Sequence, residues 1–302
     1  MIHRPLHGAA RQLPHLALML SAALLAACTG LPRPTDGALR KDHVVAVTAS
    51  NQLIRFNAGQ PGRVLSSVAL TGLQAGETVL GIDYRIAKGQ LYALGSTGRL
   101  YRIDAASGAA EGIGGPLPVV LSGDETGFDV NPTVDRIRVV GTSGQNLRLH
   151  PDTGAVVDGN PALEGLQTDG MLRYADGDMN EGRVPTIVAA GYTYNKEDEK
   201  ITTNYAIDAN FGTLVMQGSR EGMKPVVSPN TGLLRTVGPL GTAPFKRAAF
   251  DIADVSGAAY AALTSAGDKA SRWVEIDLQT GTARPLGTIG GGEVVRGIAV
   301  EP

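Results

Sequence analysis

The sequence predicts an all-β fold of repeated four-stranded units closed into a ring. Three observations lead there. A short phrase recurs at near-constant spacing, each repeat reads as short strands broken by turns, and the two chain ends complement one another.

The phrase Gly81-Ile82-Asp83-Tyr84 returns as Gly127-Phe128-Asp129-Val130 and as Ala249-Phe250-Asp251-Ile252. A looser echo is Tyr174-Ala175-Asp176, and a last one, without Asp, is Gly297-Ile298-Ala299-Val300. Asp83 to Asp129 is 46 residues, Asp129 to Asp176 is 47, Asp176 to Asp251 is 75, and position 251 to 299 is 48. One unit therefore spans about 46–48 residues, and one copy carries a long insertion.

Within a unit the pattern is strand-like. In residues 81–113, GIDYRI is followed by a turn at Lys88-Gly89, then by Leu91-Tyr92-Ala93-Leu94. Ser96-Thr97-Gly98 turns into Leu100-Tyr101-Arg102-Ile103, and Ala105-Ala106-Ser107-Gly108 turns into a fourth strand from Ala109 to Ile113. Short alternating runs between closely spaced turns mark an antiparallel meander. Four strands in about 45 residues is the size of a propeller blade.

An Asp-to-Gly turn recurs at Asp104 to Gly108, Asp152 to Gly154 and Asp277 to Gly281. Asp can accept hydrogen bonds from the backbone two residues on, so these carboxylates read as turn formers. Residues 44–70 supply only about three strands. The segment from Val295 to Val300 resembles the first strand of a unit with nothing after it. Pairing the two ends completes one blade and removes the open edges. The blades expected are 44–73 with 294–302, 79–119, 126–163, 170–241 and 248–291. That makes a β-propeller of about five four-stranded blades, with six as the alternative because the fourth is oversized. Gly290-Gly291-Gly292 reads as a turn at ring closure.

The N-terminus reads differently. Arg4 and Arg11 precede an apolar run from Leu16 to Ala27, too short to span a bilayer and suited to a secretory signal. It ends in Leu25-Ala26-Ala27-Cys28, which resembles the bacterial lipobox, and Cys28 is the one cysteine of the chain. Residues 1–27 are expected to be a lipoprotein signal peptide, 28–43 a lipidated Cys and flexible tether, and 44–302 the propeller. Several acyl chains on Cys28 would anchor the protein stably to a membrane. Thr29 in place of Asp favours the outer membrane, periplasmic side, in a host that has one.

Composition excludes several classes. The net charge of −2, which becomes −4 without residues 1–27, argues against a nucleic-acid partner. One cysteine allows no intramolecular disulfide. Beyond residue 27 the only histidines are His43 and His150, and no G-x-S-x-G is present, so serine-hydrolase and zinc chemistry lack their residues. No catalytic residue is assigned, and no resident cofactor is expected.

Two polar groups remain. Asp176, Asp178 and Asn180 place three oxygen ligands on alternate residues, as a Ca²⁺ loop requires, although the following glycine is one place late and the twelfth residue is Ile187. The densest polar cluster is Asp129, Asn131, Asp135, Arg136, Arg138, Asn146 and Arg148. Alternation points Arg136 with Arg138, and Asn146 with Arg148, to one face of each strand. Such a patch could bind an anionic or hydroxyl-rich ligand, arginine being suited to carboxylate. The plainer alternative is an ion-pair network between blades.

Four long phrases carry a resemblance: GIDYRIAKGQLYALGSTGRLYRID (81–104), FDVNPTVDRIRVVGTSGQNLRLHPDTGAV (128–156), LLRTVGPLG (233–241) and GTIGGGEVVRGIAV (287–300). Over about residues 43–302 the chain resembles the bacterial domain of unknown function 4394 family. The resemblance implies secreted or surface-attached proteins with a propeller-like β fold and no assigned reaction. It transfers no catalytic residue. The chain departs from the pattern at Asp176 and at the charged stretch from Lys196 to Lys200.

The expected function is that of a binding or interaction module at the cell envelope, with an envelope protein or small molecule as partner. A calcium-dependent, lactonase-like hydrolase and a purely structural envelope protein are the alternatives. The first requires carboxylates converging in the channel, and the second a channel filled by apolar side chains.

Overall fold

Short alternating runs between turns fold as strands throughout residues 37–302, the part of the chain that the computed structural model describes. Blade one is built from β1 (His43–Thr48), β2 (Gln52–Asn57), β3 (Gln60–Ala69) and the C-terminal β20 (Val295–Val300), in the order β20-β1-β2-β3. Blade two is the meander β4 (Val79–Arg85), β5 (Gln90–Gly95), β6 (Leu100–Ile103) and β7 (Ala110–Ile113). Blade three comprises β8 (Thr126–Asn131), β9 (Arg136–Gly141) and β10 (Asn146–Leu149).

Blade four has five strands: β11 (Arg173–Tyr174), β12 (Ile187–Tyr192), β13 (Asn204–Asp208), β14 (Thr213–Gln217) and β15 (Leu233–Pro239), ordered β11-β15-β14-β13-β12. Blade five is β16 (Arg247–Ile252), β17 (Ala259–Thr264), β18 (Arg272–Ile276) and β19 (Ala283–Thr288). The innermost strands β20, β4, β8, β12 and β16 pack each against the next around the axis. The result is a five-bladed β-propeller.

The ends close the ring as their sequences predict. β1 pairs antiparallel with β20, Val44 opposite Val300 and Ala46 opposite Ile298. Their side chains join one apolar cluster with Trp273 and Tyr260 of blade five. The Trp273 ring stacks on Tyr260 at 5.3 Å and meets Phe56 edge-on at 5.1 Å. Its Nε1 donates to the Ala58 carbonyl at 2.9 Å, so the indole is buried without an orphaned N–H.

The recurring glycine of the repeat lies on the axis. A Cβ added at Gly81, Gly127 or Gly297 would come within 2.5–2.9 Å of the neighbouring inner strand. With Ala189 and Ala249 these residues shut the axial channel to about 10 Å³ of free space.

Several expectations are corrected. The blades hold four, four, three, five and four strands, so they are not uniformly four-stranded. After Leu149 the third blade is extended only by a bridge to Val156. Tyr174-Ala175-Asp176 is not the inner strand of blade four. β11 is the outermost strand there and runs parallel to β15. The true inner strand is β12, whose Gly191 takes the repeat's Asp position, and a Cβ there would meet the Phe250 ring at 2.8 Å.

The propeller also begins before Val44. Arg40 and Asn57 exchange hydrogen bonds of 2.9 and 2.8 Å, and the Arg40 guanidinium reaches Glu275 at 2.6 Å and the Tyr260 hydroxyl at 2.8 Å. The expected tether at 28–43 is thus pinned by its last residues. Cys28, the signal segment and tether residues 29–36 lie outside the described residues.

Removing β20 would strip blade one of its inner strand and expose the cluster around Trp273. A chain truncated after residue 294 is expected to lose its cooperative thermal transition in circular dichroism. An unchanged transition would contradict closure by the two ends.

Candidate functional site

The seams between blades are not alike. Four are filled by apolar clusters that draw on both neighbours, such as Leu94 and Leu100 against Phe128 and Val139 between blades two and three. Between blades three and four the apolar cluster belongs almost wholly to blade four, with Val140 its sole contribution from blade three. Polar side chains fill the remainder of that seam.

Strand register explains how. Arg138 of β9 pairs with Asp129 of β8 and Arg148 of β10, so these three side chains share one face of blade three. Asn204 of β13 pairs with Tyr192 of β12 and Gln217 of β14, forming a facing row on blade four.

Arg138 bridges the two rows. Its Nε donates to the Tyr192 hydroxyl at 3.1 Å, its Nη1 to Asn146 at 2.8 Å and Asp169 at 2.7 Å, and its Nη2 to Asn230 at 2.7 Å. Arg148 holds Asp169 bidentately at 2.8 Å. The Arg138 and Asp169 side chains are 2% and 1% exposed, so this pair is stable only because every partner is in place.

Above this network opens a cleft of about 520 Å³. Its floor is Asn131, Arg138, Arg148, Tyr192, Asn204 and Gln217, and residues 219–223 and 226–230 of the β14–β15 connection form one wall. Five basic side chains line it, Arg136, Arg138, Arg148, Lys200 and Arg220, against Glu221 and the underlying Asp169. Asn204 is 2% exposed with neither side-chain polar atom bonded to protein, and Gln217 is 1% exposed with its Oε1 unpartnered. Buried polar atoms without partners are rare in folded chains and call for a further group, water or ligand, to meet them.

The polar cluster read from the sequence is distributed over four places. Asn131, Arg136, Arg138 and Arg148 line the cleft. Asn146 lies just beneath, bonded to Arg138 and Gln217. Asp135 leaves for the other side of the blade, where it pairs with the buried Arg85 of blade two together with Asp152. Asp129 points to the axis.

On the axis the repeat's carboxylates meet. Asp83, Asp129 and Asp251 are buried, with oxygens within 4.8 Å of one another. Each accepts a backbone N–H from the next inner strand: Val130 to Asp83 at 2.8 Å, Tyr192 to Asp129 at 3.1 Å, and Val300 to Asp251 at 2.6 Å. The recurring Asp is therefore a clasp between blades. Burial pushes all three acids up. Asp251 rises to about 7, and the charge of Asp251 adds to the rise of Asp83. Nearby Asp254 is pushed up to about 6 by burial, against the pull of Lys196. The three clasp carboxylates are spaced as a hard cation would need.

The loop of Asp176, Asp178 and Asn180 is used otherwise. The Asp178 carboxylate accepts from Thr236 N at 2.7 Å and Thr236 Oγ1 at 2.8 Å, and Asn180 donates to the same hydroxyl at 3.1 Å. Both residues tie the loop to β15, and the Asp176 side chain is turned to solvent. The turn reading suits Asp104 and Asp277, each of which accepts from backbone two and three residues on. Asp152 departs from it: it pairs with Arg85 and Lys88, Arg85 holds its carboxyl well below the ordinary range, and the Nδ1 of His150 accepts the turn N–H. Glu125 of the blade-two to blade-three connection binds Arg247 at the start of β16.

Residues 52–299 match the family described as Domain of unknown function (DUF4394), and the chain belongs to that family. No curated protein matches it. Among solved structures it is similar to a structural-genomics protein of unknown function from Bacteroides thetaiotaomicron VPI-5482, at 18% identity and a TM-score of 0.43, over 80% of this chain and 56% of that one. It is similar to a chain of a nidogen/laminin complex at 10% identity and a TM-score of 0.47, over 86% and 98%. A chain of Kuenenia stuttgartiensis hydrazine synthase matches at 11% identity and a TM-score of 0.38, over 76% and 53%.

The axial carboxylates make a pH prediction. Asp251 titrates near 7 in the folded chain but near its ordinary 3.8 when unfolded, so the native state holds the extra proton between those values. Stability gained from that proton is complete below about pH 4 and is lost as pH rises through about 7. The urea midpoint is expected to fall between pH 5 and pH 7.5, and to fall less in Asp251→Asn. An equal slope in the variant would contradict the shift.

Proposed function

We propose that this protein is a lipid-anchored, extracytoplasmic propeller that acts as a binding module at a bacterial cell envelope. The cleft between blades three and four is its binding site. The observation that carries this reading is a set of three buried amide atoms left without protein partners in a basic cleft, both polar atoms of Asn204 and the Oε1 of Gln217. A groove of this size, mixed in character and floored by positioned polar groups, has the form of a small-ligand or peptide site.

Anchoring rests on the Leu25-Ala26-Ala27-Cys28 sequence. Among the described residues no helix is long and apolar enough to cross a membrane. Acylated Cys28 is the anchor, and the periplasmic side of an outer membrane is the favoured address.

Hydrolase chemistry has one observation in its favour, the converging Asp83, Asp129 and Asp251. A bound Ca²⁺ would fit there. However, inner-strand glycines close the axis beside them, and the open cleft is not lined by these carboxylates. A closed axis also suits a structural role, but it leaves the open cleft without a purpose.

Two measurements test the proposal. Fractions of a bacterial envelope extract are screened by thermal shift against the full chain and Asn204→Leu. The reading expects a fraction that raises the melting temperature of the wild type and not of the variant; equal shifts in both would contradict it. Cys28→Ser is expected to remove the protein from the membrane fraction or leave it unprocessed, and normal fractionation of that variant would refute the anchor.

A further inference from the structure

The polar pattern of the cleft specifies more than an anion. Asn204 offers one unpaired donor and one unpaired acceptor side by side, and Gln217 adds a second unpaired acceptor. This holds for either orientation of the Asn204 amide, since both its atoms lack partners. A ligand presenting only acceptor oxygens, such as sulfate, would leave Asn204 Oδ1 and Gln217 Oε1 buried and unsatisfied. The ligand must bring N–H or O–H as well as C=O. A backbone amide brings both at the spacing a carboxamide matches.

The surrounding charges add a second requirement. Arg136 spends only its Nη1 on protein, on the Asp135 carbonyl at 2.8 Å and, weakly, the Val134 carbonyl at 3.5 Å. Arg148 spends Nε and Nη2 on Asp169. Among the described residues the other guanidinium nitrogens of both have no protein partner, and Lys200 stands at the rim of the same cleft. Such donors suit a carboxylate. The lip is apolar: Val134, Met223 and Val226 are exposed large side chains that line the opening. Tyr192 is the one aromatic ring in the lining, and it is buried with its hydroxyl taken by Arg138. The cleft therefore lacks the exposed aromatic platform on which nucleobases stack.

We infer that the cleft binds the C-terminal end of a peptide. Its last amide lies against Asn204 and Gln217, its free carboxylate against Arg136 and Arg148, and its side chains on the Val134, Met223 and Val226 lip. This inference rests on the reading of the cleft as the binding site and names the ligand it takes.

The test uses the full chain in mild detergent and a pool of N-acetylated tripeptides with free C-termini. The same pool with amidated C-termini and a set of uronic-acid disaccharides serve as comparisons. Binding is read by titration calorimetry on the peptides that raise the melting temperature. Free-acid peptides are expected to bind, amidation to weaken them about tenfold or more, and Arg136→Gln to do the same, one tenfold step being about 1.4 kcal/mol. Asn204→Leu is expected to weaken binding about tenfold while melting at or above the wild-type temperature, because it removes unpaired buried atoms. Equal affinity for amidated peptides, unchanged binding by Asn204→Leu, binding of uronic acids alone, or binding of no peptide would each overturn the inference. If peptides fail while extract fractions still distinguish wild type from Asn204→Leu, the ligand class falls and the cleft stands. If both fail, the binding reading falls as well.

Discussion

Everything in this molecule depends on closing five seams at once. A ring of blades has no independent core; each blade buries its face only against a neighbour, so a missing seam would expose two. Two devices close them. Apolar side chains wedge the gaps away from the axis, and near the axis an inner-strand carboxylate takes a backbone N–H from the next blade. Asp83, Asp129 and Asp251 supply that bond at three seams. Gly191 and Ala299 replace it at the other two, whose apolar clusters draw on both neighbouring blades. The clasps tie strands together, but they also bring three carboxylates into one dry space. Burying them raises their proton affinity and costs stability at neutral pH.

The third seam follows a different principle. Blade three has only three strands and gives that seam a row of Asp129, Arg138 and Arg148 instead of aliphatic side chains. Asp169, Asn146, Asn230 and Tyr192 satisfy the Arg138 guanidinium, so the deep part of the seam is closed by a saturated polar network. Farther from that network the two blades part and leave a cleft. Leaving a buried polar group unsatisfied costs about 1–3 kcal/mol. Retaining the Asn204 amide and the Gln217 Oε1 in that state costs stability, the pattern expected where function opposes stability.

The ring was legible because its repeat is carried by close backbone approach. Only glycine or alanine fits two residues before each clasp, and the clasp needs a short side chain that accepts the neighbour's N–H, which Asp supplies at three of five inner strands. Blade four hid its inner strand because Gly191 carries no such mark, while Tyr174-Ala175-Asp176 matched the spacing by coincidence. The Asp of the repeat could be seen but not its purpose, since nothing along one chain shows which backbone it will meet. For the cleft, alternation correctly put Arg136, Arg138 and Arg148 on shared faces. It could not pair them with Asn204 and Gln217, which sit in the insertion where the repeat fails. Asp135 and Asp152 show the converse: one belongs to the cluster in sequence and the other follows it closely, yet Arg85 from another blade takes both.

The central claim is that the seam between blades three and four is built open to receive a ligand. A high-resolution crystal structure of the ligand-free chain, with waters placed, tests it most directly. The account predicts that the Asn204 amide and Gln217 Oε1 are met only by ordered water, with the 219–230 wall standing clear. A structure in which that wall folds down and protein groups satisfy both side chains would contradict it.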